Sequence, residues 1–194
     1  MRWDELFDDL ESQLERGLEA EQTDLRAQEE RLRIARLGLR DRLVALRGAA
    51  EPVRLELVDG RLLPLRIVAI GKDWVSGDVR DGSTAGRQAI VPLSAVAAVL
   101  LDGDRLRASL AARRGEEPLA ARLGLAFVLR DLARRRAGLD VVQRGGDLVS
   151  HGTIDRVGCD HLDLALHEAA APRRESAVTG YRTVPLERVL LVLL

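Results

Sequence analysis

The sequence contains no asparagine, a single lysine (Lys72), a single cysteine (Cys159) and only 3% aromatic residues in 194. Each shortage excludes something. One cysteine cannot build an intrachain disulfide framework, and it fits a reducing compartment. Few aromatics leave aliphatic cores and few platforms for stacking. With lysine nearly absent, basic charge is carried by Arg, a usage that points to a GC-rich genome such as an actinobacterium's. Arginine abundance alone therefore says little about nucleic acid. The net charge of -1 gives no global attraction to nucleic acid or to an anionic membrane. Long apolar runs are also missing: the longest, Ala95 to Leu101, is far short of the roughly 20 residues a membrane helix needs. The start, Met-Arg-Trp-Asp-Glu, turns acidic at once, unlike a signal peptide. The expectation is a cytoplasmic protein with no membrane segment.

What is present is a 46% apolar fraction made mostly of Leu, Val and Ala, laid out in two alternating patterns. Residues 3 to about 47 hold no proline and are rich in Glu, Leu, Arg, Gln and Ala, so they read as one long helix. Leu18, Leu25, Leu32, Leu39 and Leu46 recur every seven residues as a helix interaction face. A coiled coil needs a second apolar position per heptad. Here Glu21, Gln28, Ala35 and Arg42 stand three residues on from Leu18, Leu25, Leu32 and Leu39, so the second seam is missing in the middle and the stripe is narrow. Acidic residues crowd positions 1–30 and arginines crowd 31–47. Two readings follow: an arm packed at its basic end and solvated in its middle, or an antiparallel helical dimer in which each acidic half lies along a basic half.

After Gly48 the period becomes two. Val53, Leu55 and Leu57 alternate with Arg54 and Glu56, and Asp59-Gly60 signals a hairpin. Strands follow over 62–70, 74–79, 89–91 and 96–101. A polar linker over 102–117 leads to Pro118 at the first turn of a helix expected from Leu119 to Arg136. The strand block then repeats. Ile67 to Val75, with Gly71-Lys72-Asp73-Trp74, answers Ile154 to Leu162, with Gly158-Cys159-Asp160-His161. Val91-Pro92-Leu93 answers Val184-Pro185-Leu186. Two separated segments agreeing in order and at nearly equal spacing mark an internal duplication. Five short strands with tight returns suggest a small, highly bent barrel for each copy.

These residues resemble the Sm-like barrel. The second copy carries the resemblance best, in Gly146 to Ile154 followed by Asp160-His161-Leu162-Asp163. The family's loop holds an aspartate, a base-stacking side chain and an asparagine. The resemblance maps these onto His161 with Asp163, and onto Trp74 with Ser76 in the first copy. Neither copy has the asparagine or the family's Arg-Gly pair near the closing strand. The Val-Pro-Leu segment looks more like other bacterial small barrels such as the PRC type. The layout also looks like a set of actinobacterial proteins.

Chemistry-bearing patterns are scarce. His151, Cys159, His161 and His167 fall close together, but structural zinc takes four ligands at recognisable spacing and no Cys-x-x-Cys exists. The equivalent positions of the first copy, Pro64, Lys72, Trp74 and Arg80, are not zinc ligands. No Gly-x-Ser-x-Gly elbow or phosphate loop occurs. The expectation is no catalytic residue, no metal and no cofactor.

The expected architecture is α+β: a long N-terminal helix (1–48), a five-stranded Sm-like barrel (49–102), a linker with a connecting helix (103–138) and a second such barrel (139–194). The expected function is non-enzymatic, an adaptor or assembly factor that holds protein partners, or a second copy of itself, through barrel edges and the N-terminal helix. The alternative is an RNA- or DNA-binding regulator using Trp74, His161, Asp163 and the arginines Arg130, Arg134, Arg135, Arg136 and Arg182.

Overall fold

A computed structural model describes residues 3–80, 84–111, 119–145, 148–168 and 175–194. The chain divides into two compact units, Met1–Gly38 and Leu39–Leu194.

The first unit is one helix, α1 (Trp3–Ala35). Its last turn tightens into i→i+3 bonds, Arg36 N–H to the Arg33 carbonyl at 3.2 Å and Leu37 N–H to that of Ile34 at 3.1 Å. This is the usual way a helix end satisfies its last carbonyls. Gly38 follows, and a new helix, α2 (Leu39–Ala45), opens the second unit. The single helix expected over 3–47 is therefore corrected: α1 ends at Ala35, and the heptad row continues in sequence into a separate helix, α2.

Among the described residues of the second unit the strands are β1 (Val53–Leu57), β2 (Leu62–Ile70), β3 (Trp74–Val79), β4 (Gln88–Pro92), β5 (Val96–Leu100), β6 (Gly138–Gln143), β7 (Val149–Val157), β8 (His161–Leu166), β9 (Gly180–Pro185) and β10 (Val189–Leu193). They form one antiparallel sheet in the order β5-β1-β2-β3-β4-β10-β6-β7-β8-β9. Each repeat contributes the same internal order, so the duplication is visible in topology. Two separate barrels do not form. β4 pairs with β10, Ile90 opposite Val192 and Ala89 opposite Leu193, and fuses the halves into one open sheet.

The reason lies in the side chains of the joined strands. All five residues of β10 are buried, and so are Ala89, Ile90, Val91 and Pro92 of β4. Successive strand residues point to opposite faces, so such a strand needs cover on both. An isolated barrel covers one face of its closing strand. The joint covers both by interlocking the cores: Val142, Leu190, Leu191 and Leu193 of the second repeat pack with Leu55, Leu65 and Val75 of the first. Conversely, Trp74 and Ile90 of the first repeat pack among Leu139, Leu162 and Val192 of the second.

Two further helices join the sheet. α3 (Gly103–Ser109) lies in the expected polar linker and is capped by Asp102, whose Oδ1 accepts the Arg105 N–H at 2.8 Å. α4 (Leu125–Arg135) is shorter than the helix expected over 119–136: residues 119–122 form a 3-10 turn instead, and Pro118 lies outside the described residues. Gly124 at the N-cap position has no side chain with which to cap. The Leu125 N–H is accepted by Asp73 Oδ1 at 2.7 Å, from the Gly-x-Asp turn of the first repeat.

Candidate interaction surfaces

The heptad row divides into an exposed and a buried part. On α1, Leu18, Leu25 and Leu32 are 50%, 60% and 60% exposed, with Leu14 exposed one turn before them. Leu39 on α2 is half-exposed, while Leu46 is buried in the first core beside Leu43. Within the first unit the leucine stripe faces solvent, flanked by Gln22, Gln28 and Glu29, themselves exposed.

Among the described residues the sheet ends at β5 on one side and β9 on the other. They are the repeat counterparts of β10 and β4, the strands used in the joint. Their chemistry differs from those counterparts. Ala97 and Ala98 stand where β10 has Leu190 and Leu191, and Arg182 and Thr183 stand where β4 has Ala89 and Ile90. Smaller and more polar side chains keep an edge strand from pairing indiscriminately.

The arginines proposed for nucleic acid are largely engaged. Arg130 donates to the carbonyls of Val157 at 3.3 Å and Gly158 at 2.9 Å. Arg134 and Arg135 both grip Asp131, the latter at 2.6 Å, and the two guanidinium groups hold that carboxylate below its ordinary pKa. Arg182 reaches Ser150 Oγ at 3.3 Å. Arg136 ends α4 in the left-handed conformation, φ 53° and ψ 40°. With Arg134 and Arg156 it lines a shallow groove of about 380 Å³, and Asp155 and Arg156 continue into a second groove bordered by Asp163 and the 65% exposed Tyr181.

Trp74 turns inward. Its ring is 5% exposed and its Nε1 donates to the Leu123 carbonyl at 2.9 Å, so no face is offered to a base. A Cβ at Gly71 would lie 2.0 Å from that nitrogen, which explains the glycine at this point of the repeat. His161 occupies the same place in the second copy, over Gly158, and bonds Asp160 Oδ1 at 2.7 Å. Hydrogen bonds from His161 and then Cys159 hold the Asp160 carboxyl below its usual range. Asp163 accepts from Thr183 Oγ1 at 2.7 Å. The structure thus brings Asp163 near Arg156 and Tyr181, and leaves Trp74 in the core.

The histidines divide as well. His151 Nδ1 donates to Asp140 Oδ1 at 2.6 Å. His167 is buried; its Nδ1 donates to the Glu168 carbonyl at 3.0 Å, and its Nε2 sits 2.8 Å from Thr153 Oγ1. Among the described residues no group of three His, Cys, Asp or Glu side chains is arranged to hold a metal ion. Arg87 went unnoticed in the sequence. Its guanidinium spans the joint, reaching Asp140 Oδ2 at 2.5 Å, the Leu193 carbonyl at 3.0 Å and the Leu194 carbonyl at 3.3 Å. Burial raises the Asp140 pKa, but the hydrogen bonds from Arg87 and His151 outweigh it and hold the carboxyl low. Its repeat counterpart is Gly180, so comparing the copies gave no signal.

Among the described residues no helix is long and apolar enough to cross a membrane. Comparison with models of protein families, with curated proteins and with solved structures gives no match to this chain.

Proposed function

We propose that this chain is a non-enzymatic cytoplasmic adaptor or assembly protein, which associates through the leucine stripe of α1 and holds partners at the free edges β5 and β9. The observation that carries the reading is the exposure of Leu18, Leu25 and Leu32 on one face of a 33-residue helix. Helices in water draw most of their stability from packing an apolar face, so such a stripe is built to be covered. The buried Trp74 weighs in the same direction, because it removes a stacking platform that a nucleic-acid reader would use. The test is nuclease-treated co-purification of the tagged full chain beside Leu18→Glu/Leu25→Glu/Leu32→Glu, with captured proteins identified by mass spectrometry. The reading expects a defined set that the variant loses, and an identical set on both proteins overturns it.

A second reading has one observation in its favour, the adjoining grooves where Arg134, Arg136, Arg156 and Tyr181 stand beside the carboxylates of Asp155 and Asp163. A nucleic-acid strand would place phosphates on the arginines and a base on Tyr181, a stacking contact of about 1–3 kcal/mol. It predicts retention on mixed RNA and DNA that falls steeply with salt and with Tyr181→Ala. Absence of retention at low salt removes it.

A further inference from the structure

We infer that the turn at 158–161 of the second repeat is a docking site for residues 35–39 of a second copy of this chain, in head-to-tail contact. The inference deepens the part of the association reading that concerns β5 and β9, and it does not use the stripe of α1.

The pentapeptide Ala-Arg-Leu-Gly-Leu occurs twice, at 35–39 and at 121–125. In both places helical or turn backbone runs to the arginine, Leu-Gly belongs to no helix, and a helix begins at the last leucine. The second pentapeptide is seated on the turn at 71–74 of the first repeat. The Leu123 carbonyl accepts the Lys72 N–H and Trp74 Nε1, both at 2.9 Å. Asp73 Oδ1 accepts the Leu125 N–H at 2.7 Å. Arg40 of α2 clamps the contact, donating to the carbonyls of Gly71 at 2.7 Å and Ala121 at 3.3 Å.

The turn at 158–161 is built to the same plan. The Gly158 N–H donates to the His161 carbonyl at 2.8 Å, as that of Gly71 donates to Trp74 at 2.9 Å. Arg130 of α4 holds the Gly158 carbonyl at 2.9 Å, the place that Arg40 takes at Gly71. Residues 121–125 follow a repeat and dock on it, whereas residues 35–39 follow α1. Exposure separates the two pentapeptides accordingly. Ala121 and Leu125 are each 5% exposed, while Leu39 is 41% exposed and Ala35 is exposed.

A groove beside residue 39 has the matching shape. Leu39, Leu43, Val99 and Leu101 line about 230 Å³ of open space. Their counterparts in the second repeat, Leu125, Leu129, Val192 and Leu194, pack with Trp74 and Ile90 of the first. The groove is thus where a preceding repeat would place its side chains, and the second repeat of another copy supplies His161 and Thr183 at those positions. Repeating the contact also puts the Leu37 carbonyl on the Cys159 N–H and the Leu39 N–H on the Asp160 carboxylate, and sets β5 of one copy beside β9 of the other. Segment and turn are different patches, so copies add head to tail rather than about a twofold axis. The contact is looser than the joint inside the chain, because Gly180 and Arg54 stand where Arg87 and Asp140 clasp the seam. Its population therefore depends on concentration.

Sedimentation equilibrium of the full chain over a concentration series provides the test. The expected result is a mass that rises above one chain. Leu39→Glu spoils the segment and Asp160→Arg spoils the turn, both at exposed positions. Each alone is expected to stay at one chain with an unchanged circular dichroism melt. An equimolar mixture of the two is expected to reach two chains and no more, since it holds one intact segment and one intact turn per pair. Leu37→Cys/Cys159→Ser is expected to form a disulfide with Cys159 of the natural chain and none with itself. A single-chain mass for the natural protein at every concentration overturns the inference, as does a mixture that stays at one chain. If the natural protein is a single chain yet loses captured proteins with the leucine-stripe variant, the inference fails and the association reading stands. If its mass rises while the captured set ignores that variant, the stripe reading fails and the inference stands.

Discussion

The backbone carbonyl of Asp73 accepts the N–H of Leu93 at 2.8 Å, and in the second repeat the carbonyl of Asp160 accepts that of Leu186 at 2.7 Å. This bond ties the Gly-x-Asp turn between the second and third strands of a repeat to the Val-Pro-Leu segment before its closing strand. Pro92 and Pro185 have the same backbone angles, φ -59° and ψ 135°. The two sequence motifs recur together because each is half of one contact.

The side chain of Asp73 has a second task that Asp160 lacks, capping α4 through Leu125 N–H. Asp73→Ala is expected to cost about 1 kcal/mol, as for loss of an N-cap, in urea unfolding. Asp160→Ala, on an exposed turn, is expected to leave the midpoint nearly unchanged. Equal losses from both would show that the cap contributes nothing.

Trp74→Ala removes a large side chain that the first repeat lends to the core of the second and is expected to cost about 3–5 kcal/mol. Trp74→Phe keeps most of the ring but removes one of the two N–H groups that reach the Leu123 carbonyl, leaving that of Lys72 at 2.9 Å, a loss of about 0.5–1.5 kcal/mol. Full retention of stability by the alanine variant would show that the ring is not in the core.

The heptad row gives a contrast within one repeat pattern. Leu46→Ala is expected to cost about 2–5 kcal/mol in unfolding of the sheet unit, because Leu46 is 4% exposed. Leu25→Ala, at an exposed site, is expected to stay within about 0.5 kcal/mol in the same measurement. Similar losses at both positions would contradict the division of the row.

Acid should loosen the joint. The Asp140 carboxyl is held below the ordinary value of 3.8. A carboxylate with a lowered folded pKa adds stability that is present above its unfolded pKa and is lost as pH falls through the folded one. Asp140→Asn is therefore expected to be less stable than the natural protein at pH 7. The gap closes as pH is lowered below about 3.8, the ordinary value from which its pKa is depressed. Arg87→Ala is expected to cost on the order of 1 kcal/mol, discounted because its side chain is one-third exposed. It should speed hydrogen exchange at the Ile90 and Val192 amides ahead of other strands. A pH-independent gap would show that the ion pair has no part in the joint.

The duplication, the strand positions and the turn at Asp59-Gly60 were legible because they rest on local rules, namely alternation, glycine and proline placement, and recurrence. Gly60 takes φ +86°, as the hairpin signal requires. The interaction stripe was legible in part, since a seven-residue spacing fixes a helical face but not whether the helix continues beneath it. Gly38 stands at the break and gave the available hint. Trp74 was a candidate for stacking because an aromatic in a turn region reads alike whether its ring points out or in. The neighbours that decided it, Leu123 and Leu125, lie about fifty residues away in the chain.

The sequence by itself determined that this protein holds two copies of one five-strand unit, because periodicity and turn chemistry act over a few residues and survive in any context. Only tertiary structure decided that the copies share one sheet. Strands as apolar on both faces as β4 and β10 leave exposed surface in separate barrels and lose it in a joint. That preference depends on which edges meet, on Arg87 reaching Asp140 across the seam, and on side chains trading cores. Each is a relation between residues far apart in the chain, where no local pattern records it.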